Sequence, residues 1–137
     1  MLSPVRVLVL VAALLLVPGA SEAADPIAVD VTCPVTIASA GGPLTISLNL
    51  RNRTAQTRNI AKSAIGVHLG NLNLLGPFIV PLARTLAPRA TSVVNPYLAT
   101  QFPGGAAPAG TLASVGVVVM DAANKPIGTG HCLVQVL

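Results

Sequence analysis

The chain has 137 residues, with eight Lys/Arg against four Asp/Glu for a formal net charge of +4, and it is 53% hydrophobic but only 2% aromatic. With 9% charged residues it is neither a polybasic nucleic-acid-binding arm nor a disordered, charge-rich chain. Two cysteines, two histidines and no tryptophan restrict the chemistry it can carry.

Residues 1–23, MLSPVRVLVLVAALLLVPGASEA, have the layout of a secretory signal peptide. Arg6 supplies the positive start, Val7 to Val17 the apolar stretch, and Pro18 and Gly19 the break. Ser21 and Ala23 are the small residues before a cleavage site. A retained membrane anchor is the competing reading, but the apolar stretch is well short of the ~20 residues that span a bilayer. Cleavage after Ala23 leaves residues 24–137, one domain by size, secreted or periplasmic and with no later segment able to span a membrane.

The dominant period from there on is two, the period of strands. Ile27, Val29, Val31, Cys33, Val35 and Ile37 share one face of a first strand. After a turn at 40–43, Leu44, Ile46, Leu48 and Leu50 alternate with Thr45, Ser47, Asn49 and Arg51, a half-buried strand. A polar connection at 51–57 follows. Ile65, Val67 and Leu69 then alternate, with a phase change at Gly70 that predicts a bulge or tight bend. Pro77 and Pro81 confine residues 76–82 to an edge or a crossover. Residues 84–94 place Pro88 in a turn before another β-rich run. Residues 95–110, rich in Pro, Gly and Ala, read as a surface loop. The apolar strand 111–121, the turn 121–125 and the strand 126–137 form a final hairpin. In its last strand Cys132, Val134 and Val136 share one face and His131, Leu133 and Gln135 the other. About seven short strands with no helical periodicity predict an all-β, antiparallel two-sheet sandwich.

The stretch VVVMDAANKPIGTGHCLVQV resembles the last hairpin of immunoglobulin-like and fibronectin-type-III-like domains of secreted bacterial proteins, and TLAPRATSVV is similar to their proline-turn connection. The chain lacks the core tryptophan of antibody domains, and its cysteines fall in the first and last strands. The resemblance implies a fold and no function.

Two cysteines in an exported chain make an even count, and both lie on apolar strand faces. The expected arrangement is therefore a Cys33–Cys132 disulfide. The alternative is metal or thiol chemistry at His131–Cys132. Neighbours on a strand point to opposite faces, however, and the spacing of His68, His131, Cys132 and Met120 is not that of a copper site. No metal or other cofactor is expected. Asp25, Asp30 and Asp121 are the side-chain carboxylates after residue 23. No pair of them is spaced for acid–base work, and no G-x-S-x-G, phosphate-cradling or H-E-x-x-H motif occurs, so no enzyme is expected.

Arg51, Arg53, Arg58 and Lys62 form a candidate patch for an anionic partner, such as lipopolysaccharide, another acidic glycan or a protein. The alternative is a solvated basic loop. Tyr97 and Phe102, placed in the 95–110 loop, are candidates for partner contact or for pinning the loop to the sandwich. Asn52-Arg53-Thr54 matches a glycosylation sequon. Export and the shortage of aromatic rings speak against nucleic acid. The expected function is a non-enzymatic structural or interaction module of the envelope or extracellular space, binding a protein or other envelope component through loops or an edge strand. The second reading is a carrier of a small apolar ligand between the sheets.

Overall fold

The computed structural model describes residues 25–137; the signal-peptide expectation over 1–23 lies outside them. The described residues form strands β1 (Ile27–Thr32), β2 (Thr36–Ile37), β3 (Gly42–Asn52), β4 (Arg58–Leu69), β5 (Leu72–Leu86), β6 (Thr91–Phe102), β7 (Leu112–Met120) and β8 (Pro126–Val136). They make a three-stranded sheet in the order β1-β3-β6 and a five-stranded sheet in the order β2-β8-β7-β4-β5. Two sheets pack their apolar faces together, as alternating strands require.

Period-two patterning becomes core directly. Leu44, Ile46, Leu48 and Leu50 point inward from β3, all at most 1% exposed. Ala113, Val115, Val117 and Val119 do the same from β7. Each buried aliphatic side chain contributes roughly 1.5–3 kcal/mol by leaving water. Branched and aliphatic side chains, with few rings, build a thin core. The phase change at Gly70 is a tight turn that closes the β4–β5 hairpin, with Leu69 opposite Leu72. Both Pro77 and Pro81 sit in β5 at the edge of its sheet, where a missing N–H costs no ladder bond.

Three expectations need correction. The run Ile27–Ile37 is not one strand. β1 pairs antiparallel with β3 until Thr32, and the chain then crosses to the other sheet. There β2 pairs with β8 in parallel, so the sandwich is not wholly antiparallel. Pro34, with no N–H for a ladder, stands at the crossing, and Val35 faces solvent at 81% exposure. The crossing adds a short strand, giving eight strands where about seven were expected. Residues 95–102 are not loop. They are the second half of β6, paired with β3 from Ile46↔Leu98 to Gly42↔Phe102. The connection that remains, 103–111, is pinned by Gly105 N–H to the Ser39 carbonyl and by Val136 N–H to the Thr111 carbonyl.

Candidate functional site

Cys33 and Cys132 are joined as a disulfide with Cα atoms 6.3 Å apart, and no cysteine is free. The geometry that brings them together runs along β1 and β8. Gly128 and Gly130 lie under β1, and a Cβ on either would collide with the carbonyl oxygen of Ile27 or Val29. The absence of side chains at these two positions lets the β1 backbone rest on β8, two residues per step. The next inward position of β8 is Cys132, where the bridge forms. The G-T-G stretch is thus a strand-crossing feature.

His131 faces out beside Gly116 of β7, on the surface opposite to the bridge. The His68 ring lies over Gly66 on the same outer face. Met120 ends β7, opposite Lys62 and Pro126. Among the described residues, no group of three or more His, Cys, Asp or Glu is arranged to hold a metal ion. Asp121 caps the final hairpin turn, its Oδ1 accepting from the backbone N–H groups of Ala123 (2.9 Å) and Lys125 (3.0 Å). Asp30 is exposed on β1, opposite Asn49.

The four basic residues do not form one patch. Arg51, at the end of β3, and Arg53, just beyond it, line an open depression of about 800 Å³ with Ala28, Asp30, Asn49, Arg89 and Thr91. Arg89 comes from the β5–β6 turn, and Arg51 pairs with Thr91 in register. Arg89 Nη1 donates to the Arg53 carbonyl. Arg58 and Lys62 are on β4, in the other sheet. Arg58 Nε donates to Thr54 Oγ1 (3.3 Å), and Arg58 lines a separate depression with Asp121. Adjacency in sequence put Arg58 and Lys62 into the patch. Cross-strand pairing replaces them with Arg89, and the only trace of that in the sequence is its position two residues before Thr91.

Asn52, unremarked in the sequence except as part of a sequon, is fully buried. Its Nδ2 donates to the carbonyls of Gln56 (2.7 Å), Leu86 (3.0 Å) and Ala87 (3.1 Å). Its Oδ1 accepts from Thr54 N–H (2.9 Å) and Thr54 Oγ1 (2.7 Å). One side chain therefore fastens the 53–57 connection to the β5–β6 turn. The nitrogen a glycan would modify is enclosed in the folded domain.

Tyr97 and Phe102, at 7% and 2% exposure, are core residues of β6 and not loop contacts. The proline- and glycine-rich composition around them concealed a strand that buries its two rings. Tyr97 OH donates to Ser63 Oγ of β4 at 2.5 Å, and Ser63 Oγ donates to the Val80 carbonyl of β5 at 3.0 Å. This chain of hydrogen bonds links the two sheets. Burial pushes the Tyr97 phenol above its ordinary pKa. Between the sheets, at Ile37, Leu44, Phe102, Val115 and Val134, the volume open to a water molecule is about 0 Å³.

No protein-family model matches the sequence, and a comparison with curated proteins finds no match. Solved structures do match. A Niemann-Pick type C2 protein from the Japanese carpenter ant superposes with a TM-score of 0.51 at 8% identity, over 81% of this chain and 92% of that one. The β-glucuronidase of Bacteroides uniformis gives 0.56 at 9% identity over 80% of this chain, which spans only 14% of that enzyme. The CARDB domain of PF1109 from Pyrococcus furiosus gives 0.49 at 11% identity, over 82% and 94% of the two chains. At these identities the similarity is one of fold, and the fold is a β-sandwich.

Proposed function

We propose that this chain is an exported, non-enzymatic, immunoglobulin-like module of the cell envelope or extracellular space that engages a protein or other envelope component on its outer surface. The filled space between the sheets carries this reading. A carrier of a small apolar molecule needs a cavity of at least ~300 Å³. The apolar void between the sheets that Leu44, Phe102 and Val115 line does not admit water. The disulfide supports an oxidising compartment. Asp121 is occupied in capping a turn, which supports a non-catalytic role for it. Titration with an apolar fluorescent dye tests the choice. The module reading expects no saturable binding to the folded domain, and one-to-one binding displaced by unfolding would establish the carrier instead.

A further inference from the structure

An open depression of about 800 Å³ lies outside the apolar core, on the three-stranded sheet. Across the open face of the three-stranded sheet, Arg51, Arg53 and Arg89 converge from β3, from its outgoing end and from the β5–β6 turn. Asn49 and Thr91 give it a polar floor, Asp30 stands beside them, and Ala28 is its one apolar lining residue. We propose that this depression binds an acidic glycan, a chain that carries oxyanionic groups among many hydroxyls. The proposal rests on the reading above, that a partner is held on the outer surface, and names the chemistry of that partner.

Three observations bear on it. Guanidinium groups are planar forks that match carboxylate, sulfate or phosphate oxygens two at a time. Three of them with a single carboxylate in the same depression leave a net positive field there. The Arg89 backbone sits at φ 62°, in the left-handed region that glycine or asparagine occupies at lower cost. An arginine held there carries its guanidinium onto the Arg53 carbonyl, at the wall of the depression. The remaining groups then select among anions. Asp30, Asn49 and Thr91 accept or donate to hydroxyls, which an acidic sugar has and a bare inorganic anion lacks. A lipid surface asks for apolar side chains to insert, and Ala28 offers almost none.

The test is calorimetric titration of the folded, oxidised domain with polyglucuronate, with inorganic tripolyphosphate, and with phosphatidylglycerol vesicles. Polyglucuronate is expected to bind, to bind more tightly than tripolyphosphate, and to weaken as salt is added. Arg51→Gln is expected to weaken it about tenfold, the usual scale for losing a charge-assisted bond. Arg89→Gly is expected to do the same while its thermal midpoint changes little, because glycine accepts that backbone but the Arg53 carbonyl loses its guanidinium partner. Lys62→Gln, which removes the same charge from the other sheet, is expected to leave binding unchanged. Absence of polyglucuronate binding at low salt overturns the proposal. So do loss in Lys62→Gln equal to that in Arg51→Gln, which would mean net charge alone, and tighter binding to the vesicles or tripolyphosphate. None of these failures bears on the filled core, which the apolar-dye titration tests separately.

Discussion

Asn52 is expected to be the most consequential polar side chain in the domain. Asn52→Ala removes the two N–H donors of Nδ2, which are shared among three carbonyls, and the Oδ1 that accepts two bonds. The bond to the Leu86 carbonyl is enclosed, so stranding that acceptor costs ~1–3 kcal/mol. The other groups are nearer solvent and partly rehydrate, adding about 0.5–1 kcal/mol each at most. The loss should be about 3 kcal/mol or more, a large part of the ~5–15 kcal/mol that holds a domain folded. Asn52→Asp sharpens the test, because it keeps the shape but aims a carboxylate at three carbonyl oxygens. Only the protonated acid can donate there, so its folded pKa lies above its unfolded value. The stability it lends is therefore present at pH below the unfolded pKa and is lost as pH rises through the folded one. Urea unfolding followed by far-ultraviolet circular dichroism measures both. Asn52→Asp should recover part of its deficit at pH 4 relative to pH 7. A loss below ~1 kcal/mol for Asn52→Ala, or a pH-independent deficit for Asn52→Asp, would refute the role assigned to this residue.

Ser63→Ala should cost about 1–3 kcal/mol, because it leaves the Tyr97 hydroxyl and the Val80 carbonyl unpaired, whereas Tyr97→Phe should cost only ~1 kcal/mol in the same urea assay. Because the folded pKa of Tyr97 is raised, its contribution is complete below the unfolded value near 10 and fades as pH climbs past it. Alkaline unfolding of the parent should accordingly be steeper than that of Tyr97→Phe. Gly130→Ala puts a methyl against the Val29 carbonyl and should cost about 1–3 kcal/mol, with slower formation of the bridge on refolding. Replacing both Cys33 and Cys132 with alanine frees a loop closed at a separation of 99 residues, which the chain-entropy relation values at about 4–5 kcal/mol. Comparing oxidised parent and double variant in urea reads that number directly.

Much of the sandwich was legible because β3, β7 and β8 each bury one face and wet the other. Leu44 to Leu50 and Cys132 to Val136 could be assigned to a core from alternation alone. The disulfide was legible from export, even count and apolar surroundings. The change of sheet at Pro34 was not, since a run of alternate apolar residues looks the same whether it serves one sheet or two. The second half of β6 was hidden for a compositional reason. Pro96 and the Ala and Gly that follow weaken strand propensity, and pairing with β3 overrides it. The grouping of Arg51 with Arg89 was out of reach for a different reason. It depends on which strands become neighbours, a property of the whole fold. Asn52 was concealed by chemistry, because the same Asn-x-Thr triplet that marks a sequon also closes a local turn when the asparagine is buried.

The reading of this chain as an exported sandwich rests on one bridge, from Cys33 in the crossing after β1 to Cys132 in β8. Intact-mass analysis of the secreted protein, alkylated with and without prior reduction, decides it. The expected product begins at Ala24, takes up no alkyl group in the native state and takes up two after reduction. Two alkyl groups added without reduction would rule out the bridge and return His131 and Cys132 to consideration as a reactive pair.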